Sequence, residues 1–349
     1  MKLYYRCNLF EQENFELKNC FEVFQNVLIW NSDKRLTNGK VSFNKKEIKY
    51  FCRWRKQEDW DSQRPTIIIP TKDNIRLIEK TIQNLKQNNL LSHCNVILVD
   101  DRSSEDIEGL CGEISYLRID NDFGFNFSML NNIAAKISHS LGNKEIILWN
   151  SDLWCVKEEW FLKVLKKHRE EKSTLSGTKL VYPPEEISLS SDIGDTENIN
   201  KHFPHMKDNK WRSTVQFGGS RWVRSVGHNV TQRFPVHYGR FCSREDRRVN
   251  CDSGVSFITG AFHIWDLSKF IEIGGLNPSL FKSFQDVDIC LRLLEEDIVP
   301  MYFGKNAYFY HDESANFYFN GGKKEDNQAA SDQLLFAKTW NERIIRVLL

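Results

Sequence analysis

The run Thr66-Ile67-Ile68-Ile69-Pro70, opened by Arg64-Pro65, decides how the rest of this chain is read. It is a short, β-branched apolar block of the kind that forms a fully buried strand. Downstream, Ile75, Ile78, Ile82 and Leu85 recur at helical spacing, and Asn95 to Val99 is a second buried strand. Ser115 to Ile119 reads as a third. Phe127, Leu130, Ala134, Ile137 and Leu141 then stripe a helix, Glu145 to Trp149 is another strand, and Lys157 to Arg169 another helix. Strands alternating with helices predict an α/β fold built on a parallel or mostly parallel sheet with helices on both faces. In such sheets ligands sit outside the carboxyl ends of the strands, which singles out the polar residues that follow each one.

The rhythm breaks at 183–250, a long stretch rich in Gly, Ser, Arg, His and Trp; a loop of that length points to function. Order is expected again at Val255 to Thr259. A helix starting near Asp266 should stop at Gly274-Gly275, because glycine accepts the left-handed conformation that ends many helices. Val287, Leu291 and Leu294 mark one more helix, followed by strand-like runs at Pro300 to Phe303 and Ala307 to Tyr310. After Asn316 the chain is polar until a helical segment at Leu334 to Leu349. Its Leu335, Ile345 and Leu348 either dock on the body or touch a membrane surface.

The charge balance, 48 Lys+Arg against 47 Asp+Glu in 349 residues, argues against a chain built to coat nucleic acid. With 40% hydrophobic and 27% charged residues the chain can bury a sizeable core. No apolar run reaches the ~20 residues that span a bilayer, and the first ten residues carry no secretory pattern, so a cytoplasmic location is expected. Nine cysteines without metal-like spacing fit reduced, mostly buried thiols.

Four acidic spots are candidates for chemistry. Asp100-Asp101 follows a strand; it either meets a nucleobase or ribose or caps a turn through Asp101-Arg102-Ser103-Ser104. Asn150-Ser151-Asp152 ends another strand and supplies oxygen ligands suited to Mg²⁺ or Mn²⁺, or else an Asx turn. Asp286 and Asp288 open a helix about 200° apart around its axis, so one can serve a substrate while the other braces the fold. His311 follows the aromatic run Tyr308-Phe309-Tyr310, either as a packing residue or as a ligand beside Asp152. Arg221, Arg224, Arg233 and Arg240, interleaved with Trp222, His228, His237 and Tyr238, suit a diphosphate or an acidic acceptor, or a solvated loop.

Taken in order, these pieces resemble the inverting nucleotide-sugar glycosyltransferases of family 2, with the GT-A fold, a Rossmann-like mostly parallel mixed sheet. The resemblance runs from about Arg64 to Ala315. Ile67 to Asp73 and Val99 to Ser104 look like the two nucleotide loops. Phe125 to Asn132 is similar to a segment of the branch that builds bacterial O-antigen, capsule and rhamnan-type polysaccharides. Asn150-Ser151-Asp152 sits where the family carries its metal motif; Thr259-Gly260-Ala261, Gly274-Gly275-Leu276, Phe284 to Arg292 and His311 to Ser314 complete the set.

The resemblance implies a GT-A domain at 64–315, with a nucleotide-binding half at 64–152 and an acceptor and catalytic half at 153–315. An extension at 1–63 and a helical tail at 316–349 flank it. It further implies that Asp286 is the catalytic base and that Asp152 and His311 hold a divalent cation, Mn²⁺ or Mg²⁺. Pro70, Thr71, Asp73, Asp100, Asp101, Asn131 and Ser151 would line the donor, with Asp100 at the base or ribose. Arg221, Trp222, Arg240, Gly260 and Ala261 would meet the acceptor. The implied partners are a nucleotide-sugar donor, UDP-linked by default, and a glycan or lipid-linked glycan acceptor, with membrane contact or a larger glycan-synthesis assembly compatible. Two departures stand out: the metal motif keeps a single carboxylate, and Gln285 replaces a residue often acidic in the family. A silent carbohydrate-binding scaffold and a sugar nucleotidyltransferase are the rival readings, although the Pro70 loop lacks the latter's glycine pattern.

Overall fold

The computed structural model describes residues 21–24, 27–31, 50–121, 124–189, 210–227, 230–313, 327–341 and 343–344. The sequence readings at His228, Ser314, Ile345 and Leu348, and most of 1–49, lie outside them.

The isoleucine run forms the middle of a large mixed sheet. Its strands are β1 (Phe21–Phe24), β2 (Val27–Asn31), β3 (Tyr50–Arg55), β4 (Thr66–Thr71), β5 (Asn95–Asp100), β6 (Ser115–Asn121) and β7 (Glu145–Trp149). After β8 (Leu153–Cys155) come β9 (Leu175–Thr178), β10 (Leu180–Val181), β11 (Val215–Phe217), β12 (Ser220–Gly227) and β13 (Val230–His237). The last four are β14 (Asp252–Gly254), β15 (Phe262–Asp266), β16 (Met301–Phe303) and β17 (Phe309–His311). The main sheet runs β1-β2-β3-β6-β5-β4-β7-β15-β9-β16-β14. Its centre, β6-β5-β4-β7, is parallel throughout, whereas β15 enters antiparallel to β7 with Phe262 opposite Trp149. Tyr50–Arg55 pairs with β6, and Trp54 is buried among the core residues, so the sheet extends upstream of Arg64.

Helices α1 (Ile75–Gln87), α2 (Phe127–Ser140), α3 (Glu158–Glu170), α4 (Leu267–Glu272) and α5 (Gln285–Leu294) follow the expected periodicity closely. A sixth, α6 (Asn327–Trp340), begins earlier and ends earlier than the apolar pattern at Leu334 to Leu349 suggests. Asp266 caps α4 by accepting from the Lys269 amide, and Gly274 and Gly275 turn the chain away at φ 86° and 65°. Both glycines act as the helix stop read from the sequence.

Order does return at Val255 to Thr259, as packing and not as a regular element: its backbone is irregular, and Phe257 and Ile258 are buried. Apolar burial wins there without a ladder, because Ser220 Oγ accepts from the Ser256 amide and Val255 donates to the Pro300 carbonyl. The stretch 183–250 is not one structureless loop, since β11 and the hairpin β12–β13 lie within it. That hairpin is registered from Ser220 opposite His237 to Gly227 opposite Val230.

Trp149 is fully buried at the end of β7, with Phe161, Phe262 and Phe309 around its ring and its Nε1 donating to the Leu153 carbonyl at 2.9 Å. Trp149→Ala should therefore cost about 3–5 kcal/mol of stability, the usual penalty for emptying an aromatic core site. Chemical denaturation of the variant against the parent measures it. The described cysteines 94, 111, 155, 242, 251 and 290 are unpaired thiols, and burial raises the Cys155 thiol to about 12.

Candidate functional site

The carboxyl ends of three neighbouring parallel strands, β5, β4 and β7, deliver Asp100-Asp101, Thr71 to Asp73 and Asn150 to Asp152 to one edge of the sheet. At β4, Pro70 and Thr71 are buried, and the Thr71 hydroxyl has no protein partner. Asp73 and Asn74 adopt left-handed backbone (φ 52° and 66°), which short polar side chains tolerate, and Asn74 then caps α1 through the Leu77 amide. Asp73 fastens this loop to the next one, accepting from the Ser104 amide and hydroxyl at 2.7 and 2.8 Å.

Asp100 is completely buried. It accepts from the Ser103 amide at 2.8 Å, from the Arg118 guanidinium at 3.0 Å and from the Tyr116 hydroxyl. Asp101, equally buried, accepts from Lys72 Nζ at 3.0 Å. Asp101 thus ties the loop after β5 to the loop after β4, and Asp100 ties it to β6. Asn131 lies inside α2, where its Nδ2 donates to the Phe127 carbonyl and its Oδ1 is unpartnered.

At β7 the chain turns sharply. Asn150 donates its amide to the Ala261 carbonyl at 3.0 Å, the Ser151 carbonyl accepts from the Thr81 hydroxyl, and β8 then pairs with β17 so that Leu153 faces His311. This register brings His311 Nε2 to 3.2 Å from Asp152 Oδ1. Both side chains are nearly buried, and His311 Nδ1 and Asn150 Oδ1 have no protein partner. Burial alone would lower the imidazole pKa; the Asp152 carboxylate, aided by Glu313 and Asp312, outweighs it and holds the pKa above its ordinary value. Among the described residues no cluster of three or more His, Cys, Asp or Glu forms a complete metal cage.

Asp286 opens α5. Its two oxygens accept from the Val287 and Gly260 amides, at 2.8 and 2.7 Å. Gly260 adjoins Ala261, whose carbonyl receives the Asn150 amide, so backbone contacts run from the Asp152 segment to Asp286. Burial lifts the Asp286 pKa, while the two amides and nearby His237 pull it down, and the net shift is upward. The carboxylate lines a cavity of about 280 Å³ with Pro235, His237, Phe257, Phe284 and Gln285. Gln285 is buried there with its Oε1 unpartnered. Asp288 faces elsewhere, bonded to Arg292 and to Trp340 Nε1 at 2.9 Å, which is the brace that the two-role reading of this pair requires.

Between the two acidic centres lies a network the sequence did not announce. Tyr182 donates to Glu313 at 2.7 Å and Arg240 pairs with the same carboxylate. Glu313 acts electrostatically on both His237 and His311, and His237 on Asp286. Glu313 stands two residues after His311, and an acid at that distance from a candidate ligand was the available signal. Of the other expected residues, Trp222 packs on Phe257 and donates to Ser256 Oγ, and Arg221 is exposed.

Gly260 is an exacting position. A Cβ there would stand 3.3 Å from the Asp286 Cβ, so the aspartate would have to yield by a few tenths of an ångström. Gly260→Ala should lower turnover about 10-fold, within the ~10²-fold that larger misplacements cost, with nucleotide affinity unchanged. Steady-state kinetics beside nucleotide titration checks this.

Residues 66–228 match the family model described as Glycosyl transferase family 2. That stretch is similar to glycosyltransferase family 2. The matched part holds Asp100 and Asp152, whereas Asp286 and His311 lie beyond it. A curated relative, the uncharacterized protein y4gI of Sinorhizobium fredii, is 26% identical over 261 residues, 72% of this chain. The chain spans only 24% of that relative's length. Among solved structures the chain is similar to GalNAc-T7 with UDP, GalNAc and Mn2+, at 11% identity and TM-score 0.47, covering 72% of this chain and 44% of that one. It is also similar to the mannosyltransferase PcManGT of Pyrobaculum calidifontis in complex with GDP-Man and Mn2+, at 10% identity and TM-score 0.45, covering 76% and 63%. A third likeness is S. aureus TarS 1-349, at 12% identity and TM-score 0.45, covering 80% and 74%. No helix among the described residues is long and apolar enough to cross a membrane.

Proposed function

We propose that this protein is an inverting glycosyltransferase that moves a sugar from a nucleoside-diphosphate sugar, UDP-linked by default, to a hydroxyl of a glycan or lipid-linked glycan in surface polysaccharide synthesis. The observation that carries the reading is one carboxylate, Asp286, facing a cavity and joined by backbone contacts to the strand end that bears the Asp152–His311 pair.

Asp286 takes the proton from the acceptor hydroxyl as that oxygen attacks C1 of the donor sugar. The C1–O bond to the diphosphate breaks on the opposite face, and the configuration inverts. The Gly260 and Val287 amides keep a lone pair of Asp286 oriented, and burial raises its proton affinity to suit a base.

Asp152 and His311 would hold a divalent cation. A carboxylate oxygen and an imidazole nitrogen 3.2 Å apart are donors of the types that would suit one divalent ion. When bound, the cation neutralises charge on the departing diphosphate. Among the described residues these two would be its protein ligands. Thr71, Asp73, Asp100, Asp101 and Ser151 frame the donor side, while Arg240, Gly260 and Ala261 border the acceptor side.

A thermal-shift screen of UDP, dTDP and GDP with and without Mn²⁺ tests the reading, since a ligand that binds only the folded state raises its melting temperature. A metal-dependent rise with one nucleotide is expected. No rise with any of them would overturn it, and a nucleotide-binding chain that never cleaves donor sugars would be a silent scaffold.

A further inference from the structure

We propose that helix α6 is a positioning element for Asp286, acting through Asp332, Phe336 and Trp340; the proposal rests on Asp286 being the base of the transfer reaction. The three residues are four apart, so they share one face of the helix. That face meets the segment 282–288, which carries Asp286. Asp332 is completely buried, and its Oδ2 accepts from the Lys282 and Ser283 amides at 2.7 and 3.0 Å. Phe336 stacks on Phe284, with ring centroids 4.8 Å apart and planes 22° from parallel. Trp340, also buried, donates to Asp288 at 2.9 Å. Three anchors thus hold the segment on both sides of Asp286: Asp332 on its backbone, Phe336 and Trp340 on side chains.

The grip matters because of the local conformation. Phe284 has φ 65°, a left-handed backbone that a bulky residue avoids unless its surroundings impose it. Phe284 is also the residue from which α5 starts, and it offers that helix no side-chain cap. The direction in which Asp286 leaves the helix is therefore set by contacts from outside α5. The Asp332 carboxylate supplies acceptors for two amides just upstream, the stacked ring holds the strained residue, and the Trp340 indole fixes the opposite side of the first turn. Without them the turn can relax, and the 2.7 Å bond from the Gly260 amide to Asp286 is the contact most exposed to that relaxation.

The test uses the full chain labelled with 15N-glycine, and it needs no substrate. The Gly260 amide is identified as the glycine resonance displaced in Asp286→Asn, and its shift is followed through an acid titration. His237 and Lys282 also border the cavity, so the titration is repeated in His237→Gln to separate their influence. In Trp340→Phe, which keeps the ring bulk and loses the indole N–H, the Gly260 resonance should move. Its titration midpoint should also fall toward that of an ordinary aspartate as the pocket loosens. Asp332→Asn serves as the second variant, should the first fold poorly, and should move the same resonance. Both variants should lower turnover about 10-fold or more, up to the ~10²-fold that misplacing a reacting group costs. Trp340→Phe added to Asp286→Asn should lower it no further, because the helix acts through that carboxylate. A variant that melts earlier yet keeps the parent Gly260 resonance and midpoint would overturn the proposal, leaving α6 a brace of the fold alone. An Asp286→Asn enzyme with parental turnover would remove the base assignment instead, and the resonance would still report whether α6 holds the loop.

Discussion

Asp286→Asn should lower turnover by ~10²–10⁴-fold, the range that a positioned general base contributes, and leave nucleotide binding within about 2-fold of the parent. The asparagine keeps the size of the side chain and still fills the space against Gly260, so the loss reports the missing base and not a collapsed pocket. The donor side is untouched because the Asp152–His311 pair stands on β7, β8 and β17, not on α5. The pH dependence carries a sign. Burial holds the Asp286 carboxyl above its ordinary pKa, and only the ionised form accepts the acceptor's proton. The parent's kcat/KM should therefore fall as pH drops through that raised value, at a higher pH than an exposed aspartate would give, and this acid limb should vanish in Asp286→Asn. The same shift destabilises the ionised fold: the stability linked to this group is complete below its unfolded pKa and is lost as pH rises through the folded one. An acid limb that survives unchanged in the variant would assign the base elsewhere.

The strands and helices of the nucleotide half were legible because each buried strand there is a dense β-branched run and each helix shows a clean stripe. Ile67 to Ile69 and Val96 to Val99 have no exposed face, and parallel strands buried on both sides must look that way. Legibility was partial where burial and hydrogen bonding parted company. Val255 to Thr259 is apolar enough for a strand, yet its polar backbone is satisfied by Ser220 and Pro300 and not by a neighbouring ladder. The face of α6 was hidden for a related reason. Its inward positions are Asp332, Phe336 and Trp340, and a charged residue that is completely buried breaks any hydrophobic stripe, while Leu335, which the apolar pattern names, is only half-buried.

The candidate site was legible in its residue types but not in its connections. Asp152, Asp286 and His311 each stood at the end or start of an element, where the sheet rule directs attention. That Gly260 would bond Asp286, or that Glu313 would stand between His237 and His311, depends on how β15 pairs with β7 and how the chain leaves β17. Those contacts join residues far apart in the chain. Likewise Asp100, which a motif reading sends to the nucleotide, engages Tyr116, Arg118 and the Ser103 amide, partners that only the β5–β6 pairing brings within reach.

Asp152→Ala should abolish the metal-dependent part of nucleotide binding, and His311→Ala should weaken it strongly. The pair is small for a metal site: the strand-end motif reads Asn150-Ser151-Asp152, so a single carboxylate carries the negative charge that a divalent cation requires. Losing it leaves one imidazole, which holds Mg²⁺ or Mn²⁺ poorly, because these ions prefer oxygen ligands. As a ligand His311 would add an imidazole nitrogen, and through the β8–β17 register it stands beside the carboxylate. Its removal should therefore cost less than removal of Asp152. Calorimetric titration of UDP with and without Mn²⁺ measures both effects. In the parent, Mn²⁺ should tighten UDP binding by about 10-fold or more, each factor of ten being ~1.4 kcal/mol. In Asp152→Ala the two titrations should coincide at the weaker value. Asp152→Asn adds a control for shape, because it keeps an oxygen at the same place and removes the charge; it should fall between the parent and the alanine variant. If Asp152→Ala binds UDP as tightly as the parent with Mn²⁺ present, the diphosphate is held by other groups, and Lys72, beside Asp101, and Arg240, on Glu313, become ones to test.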